Sequence, residues 1–173
     1  MSSRFERKYL PEFVYGGIDG TVTTFAVVAG VMGASLSSVI VLILGFANLF
    51  GDGFSMATSN YLSTKSNIEA GNKKFDGSKS PIKTGLATFF SFLFVGTIPL
   101  ISFIFAIFIP HIKQNQFLYS IILTGISLFG IGAIKGEIVK KHFLRAGTET
   151  FLIGGFAALI AFLVGWILKG IVG

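Results

Sequence analysis

The chain has 173 residues, of which 52% are hydrophobic and 13% are charged, about half the charged fraction of an average soluble domain. Because the apolar residues fall in long runs, the sequence predicts an all-α integral membrane protein. The net charge is +6, and the Lys and Arg residues that produce it lie beside those runs, so it does not indicate a nucleic-acid-binding protein. Cysteine is absent, which excludes disulfides, thiolate metal sites and cysteine nucleophiles.

Five apolar runs are long enough to cross a membrane, since about 20 helical residues span a hydrocarbon core of ~30 Å. We therefore predict a single transmembrane domain, residues 1–173, with a short polar connector at 64–82. Pro11 is expected to mark the beginning of the first helix, and Pro99 to kink the third. The five predicted helices cover residues of about 14–34, 39–63, 83–109, 117–141 and 150–168.

Basic residues predict the orientation of the chain. All Lys and Arg except Lys113 and Lys169 lie before the first helix, between the second and third, or between the fourth and fifth. Cytoplasmic loops of membrane proteins carry the excess of Lys and Arg. The pattern therefore places the N-terminus in the cytoplasm and the C-terminus on the opposite side.

Small residues in the first helix predict close helix packing. Gly16 and Gly20 form a GxxxG pair, a spacing that lets two helix backbones approach each other. The sequence leaves two partners open: another helix of the same subunit, or the first helix of a second copy in a homodimer.

Two acidic residues stand inside apolar runs, Asp19 in the first helix and Asp52 in the second. A carboxylate at such a position is costly and usually faces a partner or a watery path. The alternative for Asp19 is a helix cap, and for Asp52 a structural partner of a lysine or of free backbone groups. Asn48, Asp52, Met56 and Asn60 recur every four residues and share one helix face. Their oxygen and sulfur atoms favour a softer metal such as Fe(II).

Two longer motifs surround the acidic residues. The first is Asp19-Gly20 with TTFAVVAG at 23–30, and the second is DGFSMA at 52–57 with YLS at 61–63. They are similar to the signatures of the first and second helices of the vacuolar iron transporter family, so the chain resembles that family. Weaker similarity continues at GAIK (132–135) and GTE (147–149).

The resemblance implies a function and a site. It implies export of Fe(II), and secondarily Mn(II), from the cytoplasm by proton antiport, in a homodimer whose path lies between the two first helices. The family's path residues match Asp19 and Met56 here, and Asp52 would bind metal or fix the helix pair. No cofactor is expected apart from the transported ion. The other path-lining candidates are Asn48, Asn60, Glu12, Glu149 and Thr23.

The chain also departs from the family pattern. The family often has a glutamate where Asn60 stands, and larger members carry a glutamate-rich cytoplasmic domain where this chain has the short connector. These departures keep two alternatives open: transport of another cation or a small solute, and a membrane assembly factor without transport. The short connector favours a prokaryotic plasma membrane over an organelle membrane. No catalytic motif is present, so an enzyme is not expected.

Overall fold

The computed structural model describes residues 4–72 and 77–172, with the backbone alone for 4–7 and 172. Lys73 and Lys74 of the predicted basic connector lie outside these residues. Within the described residues all regular elements are helical. They are α1 (Arg4–Gly33), α2 (Ser38–Glu69), α3 (Pro81–Gly96), a 3-10 turn (Ile98–Leu100), α4 (Ile101–Phe108), α5 (Pro110–Lys113), α6 (Gln116–Ile138) and α7 (Phe143–Val172).

Five helical segments of the described chain are long and apolar enough to cross a membrane, which confirms the predicted fold class. They are α1, α2, the pair α3–α4 across the 3-10 turn, α6 and α7. The outer faces of α2 and α7 expose many large apolar side chains, as expected for surfaces that face lipid. The predicted orientation of the termini remains a prediction.

Three helices, α1, α2 and α7, extend further than the apolar runs alone indicate, whereas α6 ends at Ile138, before the predicted end at 141. The first begins at Arg4, so Pro11 lies inside α1 and not at its beginning, as the sequence had led us to expect. A proline inside a helix removes only one backbone hydrogen bond, and its neighbours can keep the helical conformation. Similarly, α2 continues to Glu69 and α7 begins at Phe143, because polar residues continue a helix readily beyond the hydrocarbon core.

The third span is interrupted at Pro99, where a 3-10 turn separates α3 from α4. Side chains there satisfy carbonyl groups near the break. The Thr97 hydroxyl donates to the Leu93 carbonyl oxygen at 2.6 Å, and the Ser120 hydroxyl on α6 donates to the Pro99 carbonyl oxygen at 2.6 Å. The interruption therefore lies inside the protein, where its carbonyl groups have partners.

The helix α1 is central and packs against α2, α3, α6 and α7. A Cβ atom built on Gly20 would lie only 2.6 Å from the Phe92 carbonyl oxygen, and one built on Gly16 would lie 2.6 Å from the Thr88 carbonyl oxygen. Both neighbours belong to α3 of the same chain. The GxxxG pair is therefore used within one subunit, which decides between the two partners that the sequence left open.

Candidate functional site

Side-chain hydrogen bonds fix the register between the antiparallel helices α1 and α2. The Asn48 amide on α2 donates to the hydroxyl groups of Thr23, at 3.3 Å, and Thr24, at 3.4 Å, on α1. The Thr23 hydroxyl donates in turn to the carbonyl oxygen of Asp19 at 2.9 Å. Asp19 lies one turn before Thr23 on α1, and Asp52 lies one turn after Asn48 on α2. Because the helices are antiparallel, both steps lead in the same direction. This register places the two carboxylates at the same level.

Asp19 and Asp52 are both half-buried, and they lie close enough for their charges to interact. Among the described residues neither carboxylate has a salt bridge to a lysine or arginine. Two like charges in partly apolar surroundings are unfavourable unless a cation or a proton compensates them. The pair is therefore suited to receive a positive ion.

A cavity of about 440 Å³ opens beside Asp19, between α1 and the end of α6. Its walls are mostly apolar, and the residues with polar groups among its lining are Tyr15, Asp19 and Lys135. Sequence reasoning assigned Lys135 to a basic segment and missed it as a site residue. The signal that could have found it is its place in the last turns of an apolar helix, within the GAIK run. The lining residues are Pro11, Val14, Tyr15, Ile18, Asp19, Lys135, Ile138 and Val139.

A second cavity, of about 730 Å³, lies towards the other end of α1. Its α1 wall is formed by Val27, Gly30, Val31 and Ala34, and α7 forms the opposite wall. These positions follow Asp19 and Thr23 at intervals of three or four residues, so all of them lie on one side of α1. The two cavities therefore border the same side of α1, one towards each end, with Thr23 between them, and we call this side the α1 cleft.

Met56 lies one turn beyond Asp52 on α2 and is half-buried. It packs against a core cluster that includes Leu49 and Phe92. The Met56 thioether therefore contacts the packed interior, and it also lies one helical turn from the Asp52 carboxylate. The arrangement allows both a packing role and a soft ligand role.

Three of the supporting candidates face other partners. The Asn60 amide donates to the Thr88 hydroxyl on α3 at 2.7 Å. The Glu12 carboxylate accepts from Lys79 at 2.6 Å, in a pair whose side chains are only 11% and 17% exposed. Glu149 is exposed and borders a shallow cavity formed by α7 residues alone. The structure does not bring these three residues to the Asp19 cavity.

Among the side chains that the structure describes, residues 8–72 and 77–171, no group of three or more His, Asp and Glu could hold a metal ion. The α1–α2 pair offers two carboxylates, a thioether and the Asn48 amide at neighbouring levels. This donor set, from oxygen and sulfur, suits a divalent transition metal better than magnesium or calcium.

A sequence model described as the VIT family matches residues 10–76 and 67–166. The chain belongs to the VIT family. Among its relatives is a vacuolar iron transporter of Toxoplasma gondii, 27% identical over 95% of this chain and 76% of the relative. A vacuolar iron transporter of Plasmodium berghei is 24% identical over 95% of this chain and 84% of the relative. Vacuolar iron transporter 1 of Arabidopsis thaliana is 24% identical over 87% of this chain and 82% of the relative.

These VIT relatives confirm the resemblance seen in the sequence. Their names are those of transporters and not of enzymes, which confirms the prediction that the chain is not an enzyme. The alignment with the Toxoplasma relative covers 229 positions although this chain has 173 residues. The two matched segments of the VIT model meet in the connector after α2. Both facts indicate that VIT relatives carry extra residues near the connector that follows α2 in this chain.

Proposed function

We propose that this chain transports a divalent transition metal across a membrane, with Fe(II) as the first candidate and Mn(II) as the second. The observation that carries the proposal is the pairing of Asp19 and Asp52 at one level, beside a cavity at one end of the α1 cleft. Acidic residues within membrane spans mark ion pathways. The VIT relatives named as iron transporters support the same class of cargo.

In this proposal the α1 cleft is the path of the ion. Asp19 and Asp52 bind the ion by charge, Met56 supplies a sulfur atom that favours a softer metal, and Asn48 and Thr23 hold α1 and α2 in register. A carboxylate that releases a proton when the metal arrives, and takes one up when the metal leaves, couples the two fluxes. We propose on this ground that the exchange is a proton antiport directed out of the cytoplasm.

We also propose that the working unit is a homodimer in which the α1 clefts of two copies face each other. Gly16 and Gly20 do not support this dimer, because they pack against α3 of their own chain. Support comes from the open α1 cleft and from the incomplete set of metal ligands within the described part of one chain. A second copy would supply the missing donors by symmetry.

The membrane in which the chain works also belongs to the proposal. The chain is a multi-pass integral membrane protein, and its named relatives are eukaryotic and vacuolar. They give no support to the prokaryotic plasma membrane that the short connector favoured. We therefore propose that the chain works in a membrane with one face towards the cytoplasm, and we no longer prefer a prokaryotic plasma membrane to an organelle membrane.

The test is Fe(II) uptake into proteoliposomes under an imposed pH gradient, under anaerobic conditions. Native protein is compared with Asp19→Asn and Met56→Ala, and Asn72→Asp serves as a control that changes one side-chain charge outside the spans. We expect native uptake to require the gradient, Asp19→Asn to abolish it, and Met56→Ala to reduce the preference for Fe(II) over Mn(II).

Two results would contradict the proposal. Uptake that is unchanged by the pH gradient or by Asp19→Asn, in protein that still elutes as a folded species, would refute proton coupling at Asp19. If no divalent ion moves and neutral variants only reduce expression, the carboxylates are structural and the chain is an assembly factor. Uptake of a different cation would keep the path and change the cargo.

A further inference from the structure

The helix α1 has a weak point at Pro11. Proline has no N–H group, so one backbone hydrogen bond of the helix is missing there, and a helix can bend at such a residue. Pro11 also lines the cavity beside Asp19, together with Val14 and Tyr15 of the following turn. A bend at Pro11 would therefore move part of the wall of that cavity.

The connector after α2 contacts α1 on the N-terminal side of Pro11. The Lys8 ammonium group donates to the carbonyl oxygen of Ser78 at 2.5 Å and to its hydroxyl oxygen at 2.6 Å. The backbone N–H of Ser80 donates to the hydroxyl oxygen of the buried Tyr9 at 3.0 Å. Two successive residues of α1 are therefore held by the connector just before the proline.

The same connector also contacts α1 on the C-terminal side of Pro11. The Lys79 ammonium group donates to Oε1 of Glu12 at 2.6 Å, and both side chains are largely buried. The other carboxylate oxygen of Glu12, Oε2, is buried and has no hydrogen-bond partner among the described residues. Removing the lysine would therefore leave a buried carboxylate without compensation, which is strongly unfavourable.

We propose that residues 78–80, which we call the connector clasp, hold α1 in line across Pro11, with Lys79 as a positioning residue for the cavity beside Asp19. Because the contacts lie on both sides of the proline, a bend there would have to break hydrogen bonds or the ion pair. The clasp acts on the cavity through α1 and does not touch the transported ion. Its effect on metal transport rests on the proposed function, whereas its effect on α1 does not.

The first experiment is hydrogen–deuterium exchange of the detergent-solubilised full chain, measured by mass spectrometry of peptides from α1. We expect Lys79→Gln to speed the exchange of backbone amides in residues 8–14 at least about tenfold, because Glu12 loses its partner. Exchange in residues 20–33 should stay unchanged.

Two further variants sharpen that measurement. Lys79→Arg should keep the native exchange rates, because a guanidinium group can donate to both carboxylate oxygens of Glu12, including Oε2. Lys65→Gln is the matched control, because Lys65 pairs with Glu69 at 3.8 Å in an exposed position. It removes the same charge from a pair that solvent already screens, and its exchange rates should equal those of native protein.

The second experiment measures Fe(II) uptake by variants in which the pair is reversed. Glu12→Lys and Lys79→Glu each bring two like charges together, and each should raise the Fe(II) concentration of half-maximal uptake at least about twofold. The double variant restores opposite charges and should return that concentration towards the native value. A simple loss of folded protein would lower the maximal rate instead, so the two effects can be told apart.

The outcomes separate this inference from the proposed function. If Lys79→Gln leaves residues 8–14 at native exchange rates, or speeds exchange equally along all of α1, the clasp does not hold α1 across Pro11 and the inference fails. If exchange rises in residues 8–14 alone but both single reversals keep the native half-maximal concentration, the positioning of the cavity is refuted. If the exchange results are as expected but Asp19→Asn takes up Fe(II) like native protein, the proposed function fails and the clasp on α1 stands.

Discussion

The contact between α1 and α3 at Gly20 should be sensitive to any atom added to the side chain. In Gly20→Ala the new Cβ atom would lie 2.6 Å from the Phe92 carbonyl oxygen and 3.0 Å from its Cα atom. The first distance is about 0.8 Å shorter than the 3.4 Å at which ordinary contact begins. Because both atoms belong to the backbone, the helices themselves must move apart.

The magnitude follows from this geometry. Overpacking of a tight interior contact costs about 1–3 kcal/mol, and the better helix propensity of alanine returns at most about 1 kcal/mol. Gly51→Ala is the matched control, because Gly51 lies in α2 with no atom within 4 Å of its built Cβ. That variant gains helix propensity without a clash.

The assay is thermal unfolding in one detergent, followed by size-exclusion chromatography of the heated samples. We expect the midpoint of Gly20→Ala to fall by several degrees, and that of Gly51→Ala to be unchanged or slightly raised. Since Gly20 follows Asp19 directly, metal binding should weaken as well. Equal midpoints for the two variants would refute the close α1–α3 approach.

Two further variants test residues that the structure removes from the site. Glu12→Gln should lower stability by about 1–3 kcal/mol, because it leaves the charge of half-buried Lys79 unpaired; Glu69→Gln, in an exposed pair at 3.8 Å, should change thermal unfolding little. Asn60→Glu restores an acid that the family often has, yet Asn60 donates to Thr88 on α3. We expect it to lower stability by about 1 kcal/mol without tighter Fe(II) binding in dialysis, and tighter binding would contradict the observed position.

The fold was largely predictable because a long apolar run that crosses a membrane forms a helix, in which the backbone N–H and C=O groups are hydrogen-bonded to each other. The ends of the helices were not predictable in the same way. Residues before Val14 and between Lys141 and Thr150 mix polar and apolar types, and hydropathy does not say whether such segments outside the lipid stay helical. Tertiary contacts decide this, such as the hydrogen bonds from Lys8 to Ser78 at 2.5 Å and 2.6 Å.

The site was predictable in part. Asp19 and Asp52 stood out because acids in apolar runs are rare, and the structure places them at one level. The pattern of every fourth residue predicted one face for Asn48 and Asn60, but in the structure Asn48 contacts α1 and Asn60 contacts α3. Twelve residues of an α-helix with 3.6 residues per turn rotate the side-chain direction by about 120°, so the two amides meet different helices.

If the proposed transport is correct, the Asp19–Asp52 pair has to release its ion as well as bind it. Two carboxylates without a counter-charge would hold a divalent cation tightly in partly apolar surroundings, and conduction requires an ion that can leave. In the proposed antiport, a proton taken up by one of the carboxylates supplies the compensation, because it removes one negative charge as the metal departs. Release of the metal would then depend on the proton gradient, and this is the dependence that the transport assay measures.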